Sequence, residues 1–282
     1  MITRKEIIEF SDKYGVPAIT IDKDYVLGNL VAGIFDNQYL KERLTFKGGT
    51  CLKKCYYEDY RFSEDLDFTA IQPIDKKKLN LNLKSIIQKI SSQTDILFGK
   101  FRIDDDSFQN KLIGYNIKKI PFWGAGHSKN KIPSISPNLP KIKIDITLHE
   151  IMCFETRKKK LIHPYSDMLS NHIITCYSIE EIISEKLRAI LQRYYRAPRD
   201  YYDLWFLLKN ESNFDWETIK QSFIEKCKFK NISFYSLDDF FDNNKLMNTK
   251  KEWDNSLGNH LKVIPKFDLM INELKHILCK IL

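Results

Sequence analysis

What the sequence lacks narrows it first. No run in the 282-residue chain approaches the roughly 20 apolar residues of a membrane-spanning helix, so no membrane partner is expected. The first ten residues, Met1-Ile-Thr-Arg-Lys-Glu-Ile-Ile-Glu-Phe10, carry charges through any would-be apolar core, which argues against a secretory signal peptide. The six cysteines, Cys51, Cys55, Cys153, Cys176, Cys227 and Cys279, contain no Cys-x-x-Cys pair and have no matching histidines. Reduced thiols in a cytoplasmic protein are therefore expected. Cys51 and Cys55 lie four apart, so a same-face metal pair is conceivable; with no further ligand near them in the sequence, a zinc site is not expected. Neither an internal repeat nor a low-complexity tail is detected.

What is present supports folded cores. At this length, with 43% hydrophobic residues, the chain can build one large domain or two modest ones. Lys+Arg 45 against Asp+Glu 37 gives a net charge of +8, an excess that favours a polyanionic partner such as RNA or a nucleoside triphosphate. A lysine-rich, AT-biased proteome would produce the same balance.

The most informative stretch runs from Leu44 to Thr69. Leu44-Thr-Phe-Lys-Gly-Gly-Thr50 reads as a strand and a glycine turn opening a short helix; Arg61-Phe-Ser-Glu-Asp-Leu-Asp-Phe68 reads as a second strand. Side chains alternate along a strand, so Asp65 and Asp67 share one face while Leu66 and Phe68 point into the core. Gly48, Gly49 and Thr50 give a backbone that can approach a phosphate and present N–H groups to it. Phosphoryl or nucleotidyl transfer needs such a cradle beside carboxylates that hold Mg²⁺. A third carboxylate is available in Lys141-Ile-Lys-Ile-Asp-Ile-Thr-Leu148, where Ile142, Ile144, Ile146 and Leu148 form the buried face and Asp145 lies on the other with Lys143 and Thr147.

These two motifs resemble the signature of the AbiEii-type nucleotidyltransferases, a branch of the DNA polymerase β-like superfamily. Two later segments fit the same pattern: Tyr177-Ser-Ile-Glu-Glu-Ile-Ile-Ser-Glu-Lys-Leu-Arg-Ala189 and Arg196-Ala-Pro-Arg-Asp-Tyr-Tyr-Asp-Leu-Trp205. The likeness extends from about Asp24 to Leu208. It implies an α+β fold, a nucleotidyltransferase-like mixed sheet flanked by helices over residues 1–175, followed by a helical bundle over 176–282. It further implies an NTP-dependent enzyme with Asp65, Asp67 and Asp145 as Mg²⁺ ligands, a two-metal site forming with nucleotide bound. Lys47, Gly48, Gly49, Thr50, Arg61, Ser63, Lys186 and Arg199 would contact the nucleotide, and Asp200 would join Asp65, Asp67, Asp145 and Lys186 in catalysis. Biologically, the resemblance implies a toxin of a toxin–antitoxin or phage-defence system that modifies an RNA acceptor such as the tRNA 3′ end and is countered by a cognate antitoxin. A protein hydroxyl as acceptor, or a non-catalytic nucleotide- or RNA-binding module, are the rival readings.

The remaining segments set further expectations. Thr3 with Glu6, and Ser178 with Glu181, are capping boxes that start helices. Ile21 to about Leu40 is a helix with Val26, Leu27, Leu30, Val31, Ile34 and Phe35 on one stripe, and 75–93 is another, begun by Lys76-Lys-Lys78. Ile96–Ile103 and Lys111–Ile120 read as strands joined by an acidic turn, Asp104-Asp-Asp106. Pro121–Pro140 reads as a long loop. Arg157-Lys-Lys-Lys160 reads as a charged hairpin tip or an RNA-backbone contact. Arg188, Arg193, Arg196 and Arg199 cluster before Asp200 and Asp203, either as an active-site wall or as an Arg–Asp clasp. Asp203 reads as the cap of a following helix. Beyond Trp216 the pattern is helical, with Phe223, Phe234, Tyr235, Phe240, Phe241, Trp253 and Phe267 as an aromatic core.

Overall fold

The computed structural model describes residues 2–109, 111–125, 139–167, 171–193, 195–211 and 213–282. It divides into two compact units, Met1–Glu150 with Thr156–Tyr177, and Ile151–Glu155 with Ser178–Leu282. The short 151–155 segment thus groups with the helical unit, although in sequence it precedes the texture change near Cys176.

In the first unit, α1 (Arg4–Tyr14), α2 (Ala18–Asp36) and α3 (Gln38–Lys41) precede β1 (Leu44–Lys47), α4 (Gly48–Cys55), β2 (Asp65–Ala70) and α5 (Lys76–Thr94). Six further strands follow: β3 (Leu97–Phe98), β4 (Asp104–Phe108), β5 (Lys111–Trp123), β6 (Lys141–Thr147), β7 (Arg157–Lys160) and β8 (Ile173–Cys176). Among the described residues they form one mixed sheet in the order β3-β5-β6-β2-β1-β8-β7, with β4 paired to β5. The two strands with the cleanest alternation, β2 and β6, lie side by side and parallel. Phe68 of β2 packs on Phe46 of β1 and Phe35 of α2, ring centroids 5.2 and 6.3 Å apart, so the odd-numbered Asp65 and Asp67 face away from α2.

α2 is more enclosed than its expected stripe. Val26, Leu27, Leu30, Val31, Ile34 and Phe35 are all buried, but so are Asp22, Asp24 and Asn29 on its other faces. Asp24 can be buried there because Lys54 Nζ and the Tyr165 hydroxyl donate to its Oδ2 at 2.6 and 2.8 Å.

Several local expectations require correction. Asp104-Asp-Asp106 is not a turn: it lies in β4, which pairs with β5, and the reversal falls at Gln109 with φ 48°. An exposed edge strand tolerates such acidic residues, and Lys76 pairs with Asp105 while Arg102 pairs with Asp104. Ile96–Ile103 forms only the two-residue β3. In the expected Pro121–Pro140 loop, Pro121–Trp123 continue β5, and 126–138 lie outside the described residues. Arg157–Lys160 is the edge strand β7 rather than a hairpin tip, its lysines guarding an unpaired edge. Both capping boxes are half formed: Thr3 and Ser178 accept from the N–H of Glu6 and Glu181, but Glu6 turns to the Ser166 N–H and hydroxyl, and Glu181 also bonds elsewhere.

The second unit is helical, with α6 (Ile179–Gln192), α7 (Pro198–Asn210), α8 (Trp216–Phe229), a 3₁₀ turn at Leu237–Phe240, α9 (Asn243–Lys251), α10 (Trp253–Leu257) and α11 (Phe267–Ile281). Glu181 is a hub here. Its Oε2 accepts from the N–H groups of Cys153 and Phe154, both at 2.9 Å, and its Oε1 pairs with Lys226, whose Nζ also donates to the Ile151 carbonyl at 2.6 Å. Both side chains of that ion pair are fully buried. Phe223, Phe234 and Phe240 form an aromatic triangle, and Trp253 stacks edge-on against Phe267. Tyr235, expected in that core, is instead 84% exposed, because it precedes the Ser236 cap of the 3₁₀ turn with only its backbone N–H bonded to Asp239.

Candidate active site

Strand register builds the site. Asp67 stands directly beside Asp145 across the β2–β6 ladder, Asp65 beside Lys143, and Lys47 beside Asp67 across β1–β2. Asn116 of β5 lies opposite Asp145. Directly opposed residues share a face, so Asn116, Asp145, Asp67 and Lys47 form one transverse row over four strands, with Asp65 and Lys143 in the next row. Adjacent strands run about 4.8 Å apart, close enough for both carboxylates of the row to reach one cation.

The glycine turn closes on this row. Gly48 has φ 81°, a left-handed conformation that side chains resist, and a Cβ on it would stand 2.5 Å from Asp67 Oδ2. A Cβ on Gly49 would stand 2.8 Å from Arg61 Nη2 and 3.2 Å from Ser63 Oγ. Thr50 donates its hydroxyl to the Asp65 carbonyl at 2.5 Å, which pins the first turn of α4 to the carboxylate strand. Lys47, Gly48, Gly49, Thr50, Arg61, Ser63, Asp65, Asp67 and Asp145 are therefore gathered at one end of the sheet. Arg61 is buried and donates to the Phe62 carbonyl, and Lys47 lies 5.6 Å from the Tyr177 ring centre.

Lys143 is a member of this group that the motifs did not single out. Its ammonium pairs with Asp145 Oδ2. Burial would push its pKa down, but the Asp145 hydrogen bond and the charges of Asp145, Asp65 and Asp67 outweigh that and raise it. All three carboxylates thus act on one cationic position. Among the described residues no hydrogen bond reaches Asp145 Oδ1, although that oxygen is buried. Carboxylate oxygens, one of them buried and unsatisfied, are the donor chemistry of a hard divalent cation, although the three carboxylates do not stand within shared ligand distance of one another and Lys143 holds Asp145 Oδ2.

The remaining expected site residues lie in the second unit. Lys186 Nζ bridges Asp200 Oδ1 at 2.8 Å and Asp203 Oδ2 at 2.7 Å, with both carboxylates at most 2% exposed. Asp203 is not a helix cap: Pro198 starts α7 five positions earlier, leaving Asp203 in its interior as a full partner of Lys186. Of the two readings of the four arginines, the Arg–Asp clasp is met at one of them, Arg193, which shares Asp200 with Lys186. Arg193 pairs with Asp200, Arg196 with Glu252, Arg188 with Glu185, and Arg199 donates to the Ser256 carbonyl and lies 3.0 Å from His260 Nε2.

Comparison with known proteins adds to this geometry. Among solved structures, the nucleotidyltransferase toxin MenT4 of Mycobacterium tuberculosis H37Rv is similar over 99% of this chain and 90% of its own, with TM-score 0.66 and 15% identity, a likeness of fold. An antigenic nucleotidyltransferase-like protein of Paracoccidioides brasiliensis aligns over 78% of this chain and 98% of its own at 12% identity, with a TM-score of 0.32. A search of curated protein sequences returns no match. The family model described as nucleotidyl transferase AbiEii toxin, type IV toxin–antitoxin system, matches residues 29–273, a span that includes the glycine turn, the carboxylate strands and the Lys186 helix. By that match the chain belongs to the AbiEii family of type IV toxin–antitoxin systems and is a nucleotidyltransferase.

Proposed function

We propose that this nucleotidyltransferase moves a nucleoside monophosphate from a Mg²⁺-bound NTP to RNA, with the tRNA 3′ end as acceptor, and that a cognate antitoxin restrains it. The observation that carries this reading is the contact between Gly48 and Asp67. The turn that can cradle phosphate and the carboxylate that can hold a metal are packed so closely that not even a methyl group fits between them.

In this scheme the acceptor 3′-hydroxyl attacks the α-phosphate, its proton is lost, and pyrophosphate leaves. Gly48, Gly49 and Thr50 present α4 backbone N–H groups to the phosphates, with Lys47, Arg61 and Ser63 beside them. Asp65, Asp67 and Asp145 would hold Mg²⁺, and Asp145, whose Oδ1 is buried without a hydrogen bond among the described residues, would complete a second metal site or take the attacking hydroxyl's proton. When bound, Mg²⁺ supplies charge neutralisation on the triphosphate and a lowered hydroxyl pKa. Lys186, oriented by Asp200 and Asp203, and Arg199 are assigned to the nucleotide by the family resemblance.

RNA is favoured over a protein acceptor by the first unit's cationic surface. A cavity of about 510 Å³ is lined by Lys100, Phe101, Arg102, Asp104, Lys118 and Lys119, and Arg157–Lys160 form a basic edge strand. Cations along a groove with an aromatic ring suit a single-stranded nucleic acid. The test is transfer of label from each α-³²P NTP to total tRNA, with a parallel protein pool, for wild type and Asp67→Ala. Label on tRNA with wild type and Mg²⁺ only is the expected result. Label on protein would overturn the acceptor assignment, and no transfer by folded enzyme would overturn the scheme.

A further inference from the structure

We propose that Cys51, Cys55 and Cys176 form a binding site for one soft, thiophilic d¹⁰ metal ion, separate from the carboxylate site. The spacing of Cys51 and Cys55 places them one turn apart on the same face of α4. The third sulfur comes from far along the chain: Cys176 ends β8, which pairs in parallel with β1 at Phe46, the strand that feeds directly into α4. All three Sγ atoms lie within 4.8 Å of one another, and the residues are buried, at 0%, 5% and 0% exposure.

The dimensions suit a shared ion. Three sulfurs each about 2.3 Å from a central metal in a trigonal plane stand about 4.0 Å apart, so the cluster need contract by less than about 1 Å to close on one. The donor set decides the kind of ion. Thiolates select soft metals such as Zn²⁺ or Cu⁺ and discriminate against Mg²⁺, which takes oxygen ligands. Around the cluster, the Tyr56 hydroxyl donates to the Tyr177 carbonyl at 2.5 Å and accepts from the Cys176 thiol at 3.7 Å; once coordination removes that S–H, the hydroxyl would have to turn its proton from Tyr177 to the sulfur to support it. Lys159 Nζ, 4.8 Å from the Tyr56 ring centre, brings positive charge to balance the thiolates. On binding, three S–H bonds give way to three S–metal bonds and the protons pass to solvent. Such an ion would fasten the back of the helix whose front is the glycine turn.

The test uses the reduced full-length chain and Cd²⁺, whose bonds to thiolate give an ultraviolet charge-transfer band that carboxylate binding does not. The expected result is a saturable band at one ion per chain, retained in Asp67→Ala and in excess Mg²⁺. Cys176→Ser should weaken Cd²⁺ binding by at least roughly 100-fold, since loss of a mere outer-shell partner costs 10–100-fold. Cys227→Ser, at a buried cysteine of the helical unit, should change nothing. Should Cys176→Ser not fold, X-ray absorption on the wild-type Cd²⁺ complex counts the sulfurs directly. Three sulfurs bear out the site; no saturable band, a band indifferent to Cys176→Ser, or fewer than three sulfurs overturns it and leaves the thiols as packing.

Discussion

Replacing Gly48 with alanine tests the coupling of cradle and carboxylate most directly. Two costs can be separated. The backbone cost of a Cβ at φ 81° is about 1–2 kcal/mol, partly offset by about 0.4–1 kcal/mol from a less flexible unfolded chain. The net, about 1 kcal/mol, corresponds to a fall of roughly 2–4 °C in the thermal midpoint of a unit this size. The steric cost falls on the site. The new Cβ would lie 2.5 Å from Asp67 Oδ2, where real contacts do not go below 3.0 Å, so the carboxylate must retreat by at least 0.5 Å (3.0 − 2.5). Misplacement by about 1 Å costs on the order of 100-fold in rate, so Gly48→Ala should lose about 10- to 100-fold in nucleotidyl transfer. Gly49→Ala meets only the tip of Arg61, a long side chain that can swing, and should lose less. The assay is label transfer at saturating NTP beside a thermal melt of the same samples. If Gly48→Ala keeps wild-type turnover, or loses activity only in proportion to unfolded protein, the proposed contact has no catalytic consequence.

The buried Lys54–Asp24 pair should behave as a unit: Asp24→Asn strands a buried ammonium and should cost about 3–5 kcal/mol by denaturant unfolding, whereas Asp24→Leu combined with Lys54→Met should recover most of it. Burial alone would raise the Asp24 pKa, but the Lys54 and Lys53 charges and the Lys54 and Tyr165 hydrogen bonds prevail and lower it, so its stabilisation is present above about pH 4 and lost as pH falls through the lower folded value. Acid unfolding of Asp24→Asn should lack that component. Lys53 has the opposite character: burial pulls its pKa down to about 8, so the folded state sheds its proton first and stability should rise between about pH 8 and 10, a slope that Lys53→Met removes in chemical melts. Asp67→Asn should abolish the Mg²⁺-induced rise in thermal midpoint expected of wild type in the proposed scheme.

The parts of the fold that were legible in sequence are those where one face is buried and the period is strict. β2 and β6 alternate cleanly because one face of each is buried, and the same alternation puts Asp65, Asp67 and Asp145 on the opposite face. The register that makes Asp67 and Asp145 neighbours is a long-range choice that no local pattern encodes. β4 and β7 were hidden for the opposite reason: at an exposed edge, Asp-Asp-Asp and Arg-Lys-Lys-Lys are governed by solvent and turn chemistry as much as by strand preference. Asp203 reads as a cap because the Asp-Leu-Trp pattern hides that Pro198 starts α7 five positions earlier. Lys143 was visible as a same-face residue, but spacing alone cannot say which strand neighbour its ammonium pairs with. The third thiol was beyond reach, since Cys176 comes close to Cys51 and Cys55 only through the β1–β8 pairing.

These pieces converge on α4. A helix of eight residues has too few internal hydrogen bonds to hold its shape alone, so the geometry of its first turn must be imposed from outside. Seven of its eight residues are buried, and each face is fastened to a different part of the first unit. Thr50 is tied to the backbone of the carboxylate strand, Lys53 to the Glu58 carbonyl at 2.6 Å and Lys54 to Asp24 of the buried α2, while Cys51 and Cys55 lie beside Cys176 at the end of β8. Burying two lysines in so short a helix is costly in desolvation and makes sense only if position matters more than stability. What it achieves is a glycine turn fixed by the sheet and by α2 at once. In the proposed scheme, the backbone N–H groups offered to a phosphate would thereby be held in place before substrate arrives, so binding energy need not be spent on ordering them.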